Sequence, residues 1–243
     1  INGGGIVNSW NFGDGQLSTL TSPTHTYTAA GNYNIRLITV SSHSCSDTVI
    51  KSIRIHEQPD LAIDVANVCL TKTSYFTQTI NPVVSNYKLD WDFGNGNVAT
   101  GNNPTYVYPV SGNYTVTASI KTDSGCVTTV NKVNTIYPLS KPLFTVNNVC
   151  DVDSVIIVNQ SSVSSGSMSY LWNFGNNTTS VATNPRLKYA TAGNYSIKLL
   201  VTTDKGCKDS LSKPITIYDS PITGFDFKNA CDTDPACAGF NIN

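Results

Sequence analysis

Apolar and polar residues alternate along this chain with a period of two. Tyr195, Ile197, Leu199 and Val201 form one set, and Ser196, Lys198, Leu200 and Thr202 the other. Tyr114, Val116, Ala118 and Ile120 repeat the pattern, and so do Tyr33, Ile35 and Leu37. Successive side chains of a strand point to opposite faces, so the pattern predicts strands with one face buried and the other mostly wet, as in a sandwich. Apolar residues at helical spacing never run long enough to predict a helix. Gly13-Asp14-Gly15, Gly94-Asn95-Gly96, and Gly125 and Gly206 just before a cysteine are turn signals that bound the strands.

The strands fall into a repeat. Trp10, Trp91 and Trp172 stand 81 residues apart, as do Phe12, Phe93 and Phe174, and Gly13, Gly94 and Gly175. Gly31-Asn32-Tyr33 returns as Gly112-Asn113-Tyr114 and Gly193-Asn194-Tyr195. The cysteines keep the same step in two columns, Cys45, Cys126 and Cys207, and Cys69, Cys150 and Cys231. A fixed period marks a stacked-repeat architecture. It divides the chain into residues 1–57, the later part of a repeat, two whole repeats at 58–138 and 139–219, and residues 220–243, the first strands of another. Cys69 precedes Trp91 by 22 residues and Cys150 precedes Trp172 by 22; the 12 residues after Cys231 and the 10 that run to Trp10 restore that interval when two copies abut. The chain is therefore expected to be one unit of a longer array, or of a polymer whose subunits complete one another end to end.

Composition adds to this. With 15 basic and 16 acidic residues scattered along 243 positions, no basic stripe offers itself to phosphates or anionic lipid, and no apolar run approaches a bilayer span. The expected partners exclude nucleic acid and membrane insertion. Seven cysteines in a polar chain point to an oxidising, extracellular setting. The absence of a Cys-x-x-Cys pair, and the clustering of His25, His43 and His56 in the first quarter, argue against zinc.

About 80 residues with roughly seven short strands fit an immunoglobulin-like sandwich. The string Trp10-Asn11-Phe12-Gly13-Asp14-Gly15, followed by His25-Thr26-Tyr27 and Gly31-Asn32-Tyr33, resembles the signature of the PKD (polycystic kidney disease) domain. The second copy reads Trp91-Asp92-Phe93-Gly94-Asn95-Gly96 and the third Trp172-Asn173-Phe174-Gly175. The resemblance implies an all-β fold of tandem PKD-type sandwiches arranged head to tail. Its cysteine-bearing form is similar to repeats in large secreted surface proteins of Bacteroidetes-type bacteria, which implies adhesins and filaments. The motif also has a direct physical reading. Trp and Phe two residues apart point into the core from one strand, glycine makes the tight turn, and Tyr33, Tyr114 and Tyr195 bury rings at the next corner.

In that topology the two cysteine columns lie in loops at opposite ends of a domain, on the order of 20 Å apart, too far for a bond. The favoured pairing therefore crosses a junction, Cys69 with Cys207, with Cys150 and Cys231 reaching Cys45 and Cys126 of a following unit. Bonds within a repeat, Cys69–Cys126 and Cys150–Cys207, and free thiols remain open. Cys237, whose counterparts are Tyr75 and Ile156, is expected as a small core residue. Connectors such as Ile136-Tyr137-Pro138-Leu139-Ser140-Lys141-Pro142 are short and proline-bearing, which limits bending.

Other chemistry does not repeat in register. Asp14 becomes Asn95 and Asn176, unlike the carboxylates of a calcium site. His25 becomes Tyr106 and Leu187, which reads as a variable surface position rather than a catalytic base. No catalytic residue, metal or cofactor is expected. The expected function is a non-catalytic structural unit of an extracellular surface filament or adhesin stalk. Its partners would be further copies of the repeat, with target-cell surfaces or glycans as candidate ligands. The alternative is a carbohydrate- or protein-binding accessory module of a secreted hydrolase.

Overall fold

The computed structural model describes residues 6–224, which are all strand, turn and loop with no helix among them. In the first repeat β1 (Val7–Asn11), β2 (Leu17–Ser18), β3 (Gly31–Val40) and β4 (Ser46–Ile55) make one antiparallel sheet in the order β2-β1-β3-β4. The second repeat adds β5 (Asp60–Val65), β6 (Val68–Cys69), β7 (Ser74–Asn81), β8 (Tyr87–Asp92), β9 (Val98–Thr100), β10 (Thr105–Tyr106), β11 (Gly112–Thr122) and β12 (Val127–Tyr137). Its two sheets run β10-β7-β5 and β6-β12-β11-β8-β9. The third repeat comprises β13 (Phe144–Thr145), β14 (Val149–Cys150), β15 (Val155–Ile156), β16 (Val158–Asn159), β17 (Met168–Asn173), β18 (Thr179–Ser180), β19 (Arg186–Leu187), β20 (Gly193–Thr203) and β21 (Lys208–Tyr218). Its main sheet is β14-β21-β20-β17-β18, faced by the pairs β13-β16 and β15-β19.

Two compact units divide the chain. The first holds Ile1–Ala66, Thr73–Tyr106 and Asn113–Asn134, and the second Asn67–Lys72, Val107–Gly112 and Thr135–Asn243. The 68–72 segment of the second repeat, with Cys69, thus belongs to the unit that carries the third repeat.

The repeated residues build the same corner three times. Trp91 and Trp172 are fully buried, and each indole N–H donates to a carbonyl ten residues on, Gly101 at 2.9 Å and Ala182 at 2.9 Å. Trp10 makes the corresponding bond to Leu20 at 3.1 Å. Phe12, Phe93 and Phe174 are buried beside them. The glycine after each Phe sits at positive φ, +84°, +77° and +78° for Gly13, Gly94 and Gly175. A Cβ on Gly94 would lie 2.5 Å from the Thr115 carbonyl oxygen, so both conformation and space require glycine there. Tyr27 and Tyr189 then tie the turn from across the sandwich, their hydroxyls donating to the carbonyls of Phe12 at 2.9 Å and Phe174 at 2.7 Å. Tyr33 and Tyr195 stack on them and donate to carbonyls four residues upstream, Ala29 and Thr191, both at 2.9 Å. Tyr114 occupies the matching half-buried position.

Across the sandwich, Phe76 packs on Trp91 and Phe93 in the second repeat, and Phe144 meets Trp172 edge-on in the third, with Val155 and Ile157 beside it. Residues 6–57 contain no counterpart of these strands. The inward column of the first repeat is accordingly open: Trp10, Tyr27, Ile35 and Leu37 are half-buried, and Ile53 is 40% exposed where Ile215 is 1% exposed.

Candidate functional site: the cysteine joint

Cys69 and Cys207 are joined by a disulfide with an S–S distance of 2.01 Å, a Cα separation of 5.6 Å and a sequence separation of 138. The bond lies within the second compact unit and links the second repeat of the sequence to the third. Each partner is held by a small backbone device. Cys69 does not lie in a plain loop: it ends β6, a two-residue strand that runs parallel to the end of β12, with Cys69 opposite Tyr137. The Leu70 N–H donates to the Tyr137 carbonyl at 2.8 Å, the Lys72 N–H to the Cys69 carbonyl at 3.0 Å, and the Thr135 N–H to the Asn67 side-chain oxygen at 2.8 Å. Cys207 follows the tight turn out of β20. The Thr203 N–H donates to its carbonyl at 2.9 Å, and its own N–H donates to the Thr203 hydroxyl at 3.1 Å.

Cys45, Cys126 and Cys150 occupy copies of these two devices. At Cys150, the Asp151 N–H donates to the Tyr218 carbonyl at 2.9 Å, the Asp153 N–H to the Cys150 carbonyl at 3.0 Å, and the Thr216 N–H to the Asn148 side chain at 2.9 Å. β14 lies parallel to the end of β21 with Cys150 opposite Tyr218. At Cys126 and Cys45 the turn bonds are Thr122 N–H to the Cys126 carbonyl, 3.0 Å, and Ser41 N–H to the Cys45 carbonyl, 2.9 Å. The hydroxyls of Thr122 and Ser41 accept from the cysteine N–H at 3.1 and 3.3 Å. Cys45 is exposed and Cys126 and Cys150 are half-buried, all three unbonded. Neither within-repeat pairing forms. Cys231 and Cys237 lie outside the described residues.

The hydroxyl four residues before each second-column cysteine and the Asn two before each first-column cysteine are parts of the joint that the motif reading passed over. The sequence did carry a signal for them. Ser41, Thr122 and Thr203 form one 81-residue column, and Asn67, Asn148 and Asn229 another.

The turn at Asp14 is a second cluster of functional type. One Asp14 oxygen accepts from the Gln16 N–H at 3.0 Å and the other meets His25 Nε2 at 2.7 Å. In later copies Asn95 and Asn176 accept from Asn97 and Thr178 N–H at 3.2 Å, so the position needs an acceptor rather than a charge. Among the described residues no group of three or more His, Cys, Asp or Glu comes together. His25, read from the repeat as a variable surface position, is half-buried. Its ring stacks on Phe12 at 4.1 Å, as Tyr106 stacks on Phe93 at 4.5 Å. The column therefore wants a side chain with a flat or apolar body over the phenylalanine, which His, Tyr and Leu all provide.

Partial burial works to raise the Asp14 pKa, but the bonds from Gln16 and His25 outweigh it and hold the carboxyl below its ordinary value of 3.8. A carboxylate depressed in the folded state gives stability that is complete above its unfolded value and is lost as pH falls through the folded one. The first repeat should therefore loosen below about pH 4, read as faster exchange of the Gln16 amide. Asp14→Asn, the residue type of the other two copies, should remove that dependence; an unchanged acid response in the variant would rule out the Asp14 pair as its source.

The sequence profile of the PKD domain matches residues 2–55, 57–136 and 138–218. The chain belongs to the PKD domain family. PKD repeats of related sequence occur in the pre-pro-metalloprotease PrtV of Vibrio cholerae, 32% identical over 126 residues, which are 50% of this chain and 13% of PrtV. Collagenase ColA of Bacillus cereus is 38% identical over 56 residues, 23% of this chain and 6% of ColA. The chain thus spans only a small part of the length of PrtV and of ColA. Among solved structures, the PKD1 domain of V. cholerae PrtV is 38% identical, with a TM-score of 0.31, over 33% of this chain and 98% of that one. The PKD1 domain of Vibrio anguillarum Epp is 29% identical, with a TM-score of 0.32, over 34% of this chain and 96% of that one. These PKD relatives come from Vibrio and Bacillus, and they lend no support to a Bacteroidetes-type source.

Proposed function

We propose that this chain is a non-catalytic, extracellular spacer, a length of stalk or filament built from PKD repeats. The observation that carries this reading is the disulfide from Cys69 to Cys207, which joins successive repeats through a second covalent path beside the short proline-bearing connector. The residues shared by all three copies are spent on cores, turns and this joint. An oxidised joint also suits a compartment outside the cell. Partners on this reading are further copies of the repeat, with target-cell surfaces or glycans as ligands at the far end.

A second reading is favoured by the relatives: PKD domains accompany catalytic parts in PrtV and ColA, so these repeats could serve as an accessory module of a secreted hydrolase. Electron microscopy of the native material separates the two. Fibres with a regular axial spacing are the expected result. Dispersed particles that sediment with insoluble polysaccharide or collagen would overturn the stalk and support the module.

A further inference from the structure

We infer that a cavity beside the connector between the second and third repeats binds a sugar acid, a pyranose ring that carries a carboxylate. Lys141 and the hydroxyls of Ser111, Ser140 and Ser164 are its polar contacts. This goes beyond the spacer reading and holds equally for a stalk and for an accessory module.

The cavity has a volume of about 450 Å³, inside the range of about 300–1,000 Å³ common to small-molecule sites. Every residue that lines it belongs to the second compact unit. Its walls stand without a ligand. Lys141 and Ser162 form an antiparallel bridge. The Lys141 N–H donates to the Ser162 carbonyl at 2.7 Å, and the Ser162 N–H to the Lys141 carbonyl at 3.2 Å. Leu70, a second part of the wall, donates its N–H to the Tyr137 carbonyl at 2.8 Å. It follows Cys69, which the disulfide fixes to Cys207.

The polar residues of this cavity break the repeat. Ser111 has Ala30 and Ala192 as counterparts, Ser140 has Pro59 and Pro221, and Ser164 has Val83. Lys141 stands where Asp60 and Ile222 stand in the other copies. Residues that keep the 81-residue step serve cores, turns and the disulfide. These do not keep it, and they gather at one place. Ser140 is the sharpest case. It is 2% exposed, and its hydroxyl has no hydrogen-bond partner among the described residues. Pro59, buried at the same position of the second repeat, has no polar atom in its side chain. An unpaired buried hydroxyl is costly and rare in folded proteins. On binding, a change of χ1 rotamer brings that hydroxyl to the ligand.

The lining sets the class of ligand. No Asp or Glu is among the lining residues. The Lys141 ammonium is exposed and has no ion pair among the described residues. One uncompensated cation suits one carboxylate. Serine hydroxyls both donate and accept, as the hydroxyls of a sugar do. Leu70, Leu139 and Val163 offer apolar surface to the C–H face of the ring. Inorganic phosphate is served less well. The two backbone N–H groups of the bridge are already spent on carbonyls, which leaves it a single lysine.

The test is calorimetric titration of the oxidised full chain with glucuronic acid, with glucose and acetate titrated in parallel. Glucuronic acid should bind at least about tenfold more tightly than either control, since each lacks half of the contacts. Lys141→Ala should weaken it at least about tenfold, and Ser140→Ala roughly threefold. Ser140→Pro, the residue type of the other copies, is a second variant with the same expected loss. An unchanged melting midpoint shows that each variant is folded. Amide shifts in nuclear magnetic resonance should move at Leu70, Ser111 and Val163. Glucuronic acid that fails to bind, or binds no more tightly than glucose or acetate, overturns the proposal. So does a Lys141→Ala chain that binds as well as the parent. Ser140 variants with full affinity would mean that its hydroxyl serves ordered water, and would overturn its place in the site.

Discussion

Trp172→Ala is expected to unfold the third repeat at ordinary temperature. The indole is fully buried, Phe144 packs edge-on against it at 5.1 Å, and its N–H holds the Ala182 carbonyl. Large aromatic-to-alanine changes in a core cost about 3–5 kcal/mol. A domain of this size has only about 4–12 kcal/mol in hand. The loss corresponds to a fall in the melting midpoint of roughly 12–40 °C. Trp172→Phe separates the causes: it keeps most of the ring and drops the hydrogen bond, for about 1 kcal/mol. Packing should dominate by a factor of several. Calorimetry of the two variants checks this, and equal losses would mean that the bond to Ala182, not the ring, holds the corner.

Removing the Cys69–Cys207 bond is the second large change. Cross-links over long loops contribute about 2–4 kcal/mol, chiefly by narrowing the unfolded ensemble in the chain-entropy account. With dithiothreitol, or in the Cys69→Ala/Cys207→Ala double variant, the midpoint of the third repeat should fall by roughly 8–30 °C. The double variant should be indifferent to dithiothreitol, whereas Trp172→Ala should be sensitive to it. Cys207 is buried as well, so part of the loss in the variant reflects packing, and the reduced parent gives the cleaner number. Superimposable melts with and without reductant would show that the two repeats draw no stability from the bond.

Much of the fold was legible because its determinants are large and spaced in one fixed step. Trp91, Phe93 and Gly94 each do something that no other residue type does well, so the step shows through a diverged sequence. Short edge strands left no such trace. β6 and β14 are two residues each, too short to alternate, and their place is set by pairing with the distant ends of β12 and β21. The third repeat hid another detail. The eight-residue β7 has as its counterpart two short pieces, β15 and β16, which pair with different strands, β19 and β13. Alternation along Val155 to Asn159 cannot tell which partner each piece finds. His25 misled because identity varied while shape did not: what the position keeps is a body that lies on Phe12.

Under tension the cross-link changes which residues bear load. A pull entering ahead of Cys69 can leave through sulfur to Cys207 without passing along the backbone between them. The bypassed segment spans 138 residues, about 450–500 Å of contour if drawn straight. While the bond holds, that slack is locked away, and most of two repeats is shielded from being stripped apart by the force that stretches their neighbours.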